Sequence, residues 1–383
     1  MQAVFSTLAG KRVLVTGATG FIGGRVVETL CAETQADVRA LVRQLYKAPR
    51  VACYPVNLIS GDLTKAADVQ RAMAGCDLVV HTAWDFGGKD GPAAARERNL
   101  AGLRHLLDAA REQKVARFVH ISTAAVFDHR APRLITEEAS RDTPPGDYTT
   151  AKAEAEALVR EYIARGLPAV ILQPTVVYGP WSATWTMTPL KRMRKADLAV
   201  DEGEGRCTPV YIDDLVAAIL RAFVEPAAVG ESFLVGGSES VSWREFYGAY
   251  ARMLGVQGVV SLPAMEAPPP APPRPGLRER ARRIPALVGA YRFLKYQILG
   301  APQPPAGGEA TTSSTADAPR PVIKPSPAML DLYRCRATVS CERARARLGY
   351  VPAFNLARGM ALTGQWARWM KFLDDAPPAG EGA

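Results

Sequence analysis

The sequence is poor in the residues that hold metals, cross-link chains or span bilayers. Its four histidines (His81, His105, His120, His129) include no pair at ligand spacing on one helix, so no metal centre is expected. The six cysteines (31, 53, 76, 207, 335 and 341) form no C-x-x-C pair, which favours reduced thiols. No apolar run approaches the roughly 18 residues of a membrane span. The first 30 residues also lack a basic start followed by an apolar run and cleavage site. A cytoplasmic, non-integral protein is the expectation.

Charge is not evenly spread. Residues 261–330 carry nine Lys/Arg against four Asp/Glu, more than half of the net +9 in one segment, so no nucleic-acid-binding face is expected. The same segment holds half of the thirty prolines, including APPPAPPRPG, and cannot build a packed core. Within it, residues 276–299 (GLRERARRIPALVGAYRFLKYQIL) have the pattern of a basic amphipathic helix, bent or broken at Pro285. Such a helix either rests on an anionic membrane surface, as a peripheral contact, or serves as a lid or lobe-packing element.

What is present is alternation. From residue 11 to about 180, apolar β-rich runs (12–17, 37–42, 77–83, 117–123, 169–179) alternate with helical periodicity (23–33, 66–75, 94–113, 148–166). That pattern predicts an α/β fold, a Rossmann-type doubly wound parallel sheet. A chain of 383 residues exceeds the size at which one core stops growing. The expected organisation is a dinucleotide-binding domain over 1–180, a smaller substrate-binding lobe over 181–260, and a proline-rich insertion over 261–330. C-terminal helices over 331–375 would complete that lobe, leaving a tail at 376–383.

Directly after the first strand comes TGATGFIGG, with Gly17, Gly20 and Gly23 spaced G-x-x-G-x-x-G before a helix. Glycine is needed where the chain turns sharply, where backbone approaches a pyrophosphate, and where helix lies close on strand. Thr19, Phe21 and Ile22 fill the turn, and the helix N-terminus offers its N–H groups to phosphate. The second strand ends in Arg43, not in an acid, with Arg39 further back. An acid there would bond a ribose 2′-hydroxyl, whereas arginine suits a 2′-phosphate, so NADP(H) is favoured and NAD(H) remains possible. Asp62, followed by Leu63, is placed to accept a hydrogen bond from the adenine amino group, or to cap the helix behind it. Thr82 and Ala83 end the run at 77–83 beside the cofactor, while His81 and His120 read as core residues. Asp213 and Asp214 read as a helix N-terminal pair, with capping as the simple explanation.

Thr123 ends the run at 117–123, 25 residues before Tyr148, and Lys152 follows one helical turn later. Alone, Tyr148 and Lys152 are two neighbours on a helix face. Beside a dinucleotide they make a proton-transfer site, because hydride transfer to a carbonyl needs a proton donor at the oxygen. A tyrosine with a pKa of about 10 serves poorly until a nearby ammonium favours its phenolate. Thr123 would hold the substrate oxygen.

The glycine pattern, STAAV and YTTAK, in this order and spacing, resemble the extended short-chain dehydrogenase/reductase superfamily. The resemblance covers residues 11 to about 255 and 335–372. It implies Tyr148 as acid/base, Lys152 as its partner, and Thr123 in the position serine often holds. Asn99, in RNLAGLRHLL, would serve a water relay to Lys152. Pro174 would cover the nicotinamide, with Gln173 where arginine is common. The helices over 99–113 and 148–165 would supply a homodimer interface.

Three functions stay open. The first is an NAD(P)-dependent reductase or dehydrogenase of the style of 3β-hydroxysteroid dehydrogenases and dihydroflavonol reductases, acting on an apolar or ring-shaped small molecule. The second is a UDP-hexose type 4-epimerase with bound NAD. The third is a non-catalytic dinucleotide sensor. Ala124 and Ala125 stand where nucleotide-sugar dehydratases and decarboxylases carry an acid. Cys207 stands four residues before Tyr211, where many UDP-sugar enzymes place a diphosphate-binding arginine; Arg206 next door could substitute, though on a strand its side chain would point to the other face. Trp181 and Trp185, in YGPWSATWTMTPL, would line an apolar pocket or pack a loop.

Overall fold

The glycine turn sits between a five-residue strand and the helix that follows it, and the rest of the first half repeats this unit. In the computed structural model, which describes residues 1–88, 90–129, 131–139, 146–201, 205–262 and 319–373, the order opens α1 (Gln2–Thr7), β1 (Arg12–Thr16), α2 (Phe21–Glu33), β2 (Asp37–Val42). It continues α3 (Pro49–Ala52), β3 (Val56–Ser60), α4 (Ala66–Met73), β4 (Leu78–His81), α5 (Gly91–Glu112), β5 (Arg117–Ile121). Then come β6 (Leu134–Ile135), α6 (Asp147–Ala164) and β7 (Ala169–Pro174). The smaller lobe adds β8 (Val176–Tyr178), α7 (Thr188–Met193), β9 (Asp197–Asp201), β10 (Arg206–Cys207), β11 (Pro209–Tyr211) and α8 (Ile212–Val224). After these stand β12 (Ser232–Val235), β13 (Val241–Ser242), α9 (Trp243–Leu254) and β14 (Val259–Leu262). The last are β15 (Val322–Ile323), α10 (Pro327–Tyr333), β16 (Thr338–Val339), α11 (Glu342–Leu348) and α12 (Leu356–Trp369).

Seven parallel strands form the central sheet in the order β12-β7-β5-β4-β1-β2-β3. Every residue of β4, β5, β7 and β12 is buried, as expected when helices cover both faces. Period-2 alternation divides β1 between two cores. Val13 and Val15 pack in the core that includes α2 and α8, and Leu14 packs in the one formed with α4, α5 and α6. The chain runs outward from β1 through β2 to β3 and then returns to β4 on the other side of β1. That reversal opens a crevice above the carboxyl ends of β1 and β4, where open α/β sheets bind ligands.

Three expectations change. The run at 169–179 is two strands: β7 stays in the sheet, and β8 leaves it to pair with β11. Within 181–260, expected to be the smaller lobe, β12 instead joins the main sheet beside β7 (Ser232 opposite Ile171) and so completes the dinucleotide half. Asp213 and Asp214 do not cap α8. Asp213 takes Arg25 of α2 at 2.6 Å, and Asp214 accepts the Ala353 and Phe354 N–H groups at 2.7 and 3.2 Å. Both carboxylates therefore tie distant segments together.

The chain divides into one compact unit, 1–265 with 321–383, and a second, 266–320. The sheet, the smaller lobe and the site belong to the first. The amphipathic pattern at 276–299 and the tail at 376–383 lie outside the described residues. Among the described residues no helix is long and apolar enough to cross a membrane, and no cluster of metal-ligating side chains occurs. All six cysteines are free thiols.

Candidate functional site

Gly17 has φ +72°, a conformation side chains rarely adopt, and a Cβ placed there would stand 2.6 Å from the Ala83 nitrogen. A Cβ on Gly23 would overlap the Gly17 carbonyl and lie 2.6 Å from the Thr82 hydroxyl. The Thr82 hydroxyl itself donates to the Thr16 carbonyl at 2.8 Å. The two glycines thus let α2 lie against the ends of β1 and β4. Gly20 caps α2 with no side-chain bond, and no acid stands in its first turn. Its N–H groups and positive dipole end are left for an anion. This glycine cradle fits the pyrophosphate of a dinucleotide, with Gly17, Thr19, Gly20, Phe21, Ile22 and Gly23 along its wall.

At the adenine end, Asp62 Oδ1 accepts the Thr64 N–H and hydroxyl, both at 2.9 Å. It closes a turn ahead of α4 and does not cap that helix, whose N-cap is Lys65. Asp62, Leu63, Thr82, Ala83 and Pro174 all line the same cavity. Arg43 is exposed at its rim, immediately after β2. Arg39 points elsewhere, donating to the Ala74 carbonyl at 2.7 Å.

The opposite end gathers Thr123, Tyr148 and Lys152. The Thr123 hydroxyl stands near the Tyr148 phenol, where it favours the phenolate, and accepts the Ala125 N–H at 3.2 Å. Tyr148 is 39% exposed toward the open cavity. Even so, surrounding protein raises its pKa above the ordinary value, with the Thr123 hydroxyl opposing. Lys152 is buried and donates to the Ile121 carbonyl at 2.9 Å. Burial pulls its pKa from 10.5 down to about 7, and Glu156 one turn on works against that. A pKa-lowering effect of Lys152 on Tyr148, expected from their spacing, is therefore not realised in the cofactor-free chain. The lysine is itself driven toward its neutral form.

Asn99 lines the cavity, yet its side chain is spent on one residue: Nδ2 donates to the Asp85 carbonyl and Oδ1 accepts the Asp85 N–H, each at 2.9 Å. His81 and His120 are buried with stacked rings. Burial, helped by the Lys152 charge, lowers His81 to about 3, and burial with the charges of His81, Lys152 and Arg160 holds His120 well below its ordinary value. Gln173 donates to the buried Glu156 at 2.8 Å, and Arg160 takes the other Glu156 oxygen at 2.9 Å.

The cavity encloses about 970 Å³. Beyond Tyr148 its walls are Trp84, Phe86, Trp185, Trp243, Leu332 and Val339. Of the two tryptophans singled out from sequence, Trp185 lines this space, stacked on Trp243 at 5.6 Å. Trp181 is a packing residue, between Trp366 and the Arg50 guanidinium. Trp84, Phe86 and the wall from α10 to β16 escaped the sequence reading. Two aromatics in a glycine-rich loop directly after β4 were a usable signal, whereas nothing local marks residues 328–339.

A family model described as the NAD dependent epimerase/dehydratase family matches residues 13–236. The 4-hydroxy-2-methyl-3-oxo-4-farnesyl-3,4-dihydroquinoline-1-oxide ketoreductase of Stigmatella aurantiaca is 28% identical over 252 residues, 65% of this chain and 75% of that protein. The UDP-glucose 4-epimerase of Vibrio cholerae is 29% identical over 249 residues, 61% of this chain and 73% of that protein. The solved UDP-glucuronic acid 4-epimerase of Bacillus cereus, in complex with UDP-glucuronic acid and NAD, has the same fold. It matches with TM-score 0.68 over 94% of this chain and 99% of that one, at 19% identity. The chain belongs to the NAD dependent epimerase/dehydratase family, enzymes of the extended short-chain dehydrogenase/reductase type.

Proposed function

We propose that this protein is a reductase or dehydrogenase that interconverts a ketone and a secondary alcohol on an apolar, ring-bearing small molecule, with NADP(H) preferred. The observation that carries this reading is the substrate end of the cavity, whose wall is aromatic. Arg98 is taken by Asp85 at 2.9 Å and Asp90 at 3.2 Å, and Arg206 by Ser240. Buried Cys207 occupies the place where a diphosphate-binding arginine would stand. A UDP-sugar diphosphate would find there only Arg206, already bonded to Ser240, in place of a dedicated arginine at 207. The ketoreductase relative, whose named substrate joins a ring system to a farnesyl chain, agrees with such a pocket.

When bound, the dinucleotide supplies or takes the hydride. The chain's own residues do the rest. The Tyr148 hydroxyl gives its proton to the carbonyl oxygen as charge develops there, and Thr123 holds that oxygen by a hydrogen bond. Lys152, one helical turn from the phenol, is placed to bond the nicotinamide ribose. The aromatic wall excludes water around these groups. Arg43 at the rim would pair a 2′-phosphate.

The test is NADPH oxidation against apolar cyclic ketones, beside UDP-hexose epimerisation and the identity of any dinucleotide retained on purification. Ketone reduction, abolished in Tyr148→Phe with cofactor binding kept, supports the reading. Non-exchanging NAD with UDP-hexose turnover overturns it.

A further inference from the structure

Between β4 and α5 the chain runs Trp84-Asp85-Phe86 and then through glycines, Gly87, Gly88 and Gly91 all having positive φ. Such a segment is held only by what its residues bind. One side chain of α5 holds its middle: the Asn99 amide pairs with both backbone groups of Asp85, as a neighbouring strand would. The Asp85 carboxylate is fixed in turn by Arg98 at 2.9 Å and by the Gly87 N–H at 2.9 Å. With Asp85 turned toward α5, the residues before and after it turn the other way. Both reach the proton-transfer pair. Trp84 meets Tyr148 edge-on at 6.1 Å, and Phe86, 78% exposed, stacks on Tyr148 at 5.9 Å. The Lys152 ammonium lies 3.7 Å from the centroid of the Trp84 ring.

We propose that Trp84 is a positioning residue for Lys152, holding the ammonium against its indole face, and that Asn99 acts on the reaction by pegging the loop that carries Trp84. This rests on the reading of Tyr148 and Lys152 as the proton-transfer pair. An aromatic face favours the charged amine over the neutral one, and it does so where the other neighbours give little. The titratable and charged groups around Lys152 are Glu156 and Tyr148 on its own helix, and His81 of β4 and His120 of β5, both held neutral by burial. On the loop side stands Asp85, whose charge Arg98 takes. Glu156 is shared with Arg160 and Gln173. The indole and the Ile121 carbonyl are therefore the direct contacts that keep a cation at this depth, with the shared Glu156 carboxylate assisting from one turn away.

The experiment reads Lys152 directly in cofactor-free protein, as the pH titration of its 13Cε resonance in lysine-labelled chain, assigned by its loss in Lys152→Met. Trp84→Leu keeps the site dry but removes the π-face, and should lower the Lys152 pKa by about half to one and a half units. Trp84→Phe should lower it less, and Asn99→Ala, which touches neither ring nor lysine, should reproduce part of the Trp84→Leu shift. If Trp84→Leu does not fold, the Phe and Asn99→Ala chains carry the comparison. An unchanged Lys152 titration in folded Trp84 and Asn99 variants overturns the proposal while leaving the Tyr148 reading intact. A Tyr148→Phe chain that keeps turnover removes that reading, whatever the titration shows.

Discussion

Lys152→Met should produce a protein that is more stable than the wild type at neutral pH and unable to turn over substrate. The reason is the depth of the ammonium. Its side chain is buried, and its pKa has moved from 10.5 to about 7. At 1.36 kcal/mol per unit, that displacement corresponds to ~5 kcal/mol against keeping the lysine charged in the folded chain. Methionine fills a similar volume without charge. Its sulfur cannot donate to the Ile121 carbonyl, which costs ~1 kcal/mol, and the cation–π contact with Trp84 is lost for about as much again. A net gain of ~3 kcal/mol remains. The pH dependence is the sharper check. A lysine whose folded pKa is depressed costs its full amount below pH 7, where both states are protonated. It costs progressively less as pH rises toward 10.5, because the unfolded chain holds the proton longer. Wild-type stability should therefore climb through that window, and the gap to Lys152→Met should close. Urea unfolding of the cofactor-free chains at pH 6 and pH 9.5 measures both quantities. A variant less stable than the wild type at pH 6, or an equal gap at the two pH values, would refute the reasoning.

Gly17→Ala should cost ~3 kcal/mol or more, from the left-handed backbone and from its Cβ meeting the Ala83 nitrogen, and should abolish dinucleotide binding followed by nicotinamide fluorescence. Arg43→Glu should lower kcat/KM with NADPH at least ~10-fold and leave the value with NADH unchanged or higher, since only the 2′-phosphate loses a partner. Lys114, at φ +52° just past α5, is a helix-ending position suited to glycine. Lys114→Gly should stabilise the chain by ~1 kcal/mol in urea unfolding, with activity unaltered.

The residues that were legible from sequence are those whose meaning is local. The glycine turn is read from seven consecutive residues, the pair Tyr148 and Lys152 from one helical turn, and the strands from runs that both sheet faces bury. What escaped depends on partners far along the chain. Ser232 finds Ile171, Asp213 finds Arg25, and Asp214 finds the Ala353 and Phe354 amides. No periodicity carries those pairings. The acids therefore read as caps, and β12 as part of the wrong lobe. Asn99 shows a subtler limit: the motif located the residue correctly, but its side chain serves Asp85, a partner that only the packed loop brings near.

Part of the cavity's wall comes from residues 328–339, in α10 and around β16. A ribosome delivers the glycine turn, Thr123, Tyr148 and Lys152 within the first 152 residues and the sheet's last strand by Val235. The part of the wall at 328–339 emerges some ninety residues later. The glycine cradle and the residues of the proton-transfer pair are thus separated from this stretch of wall in the order of synthesis.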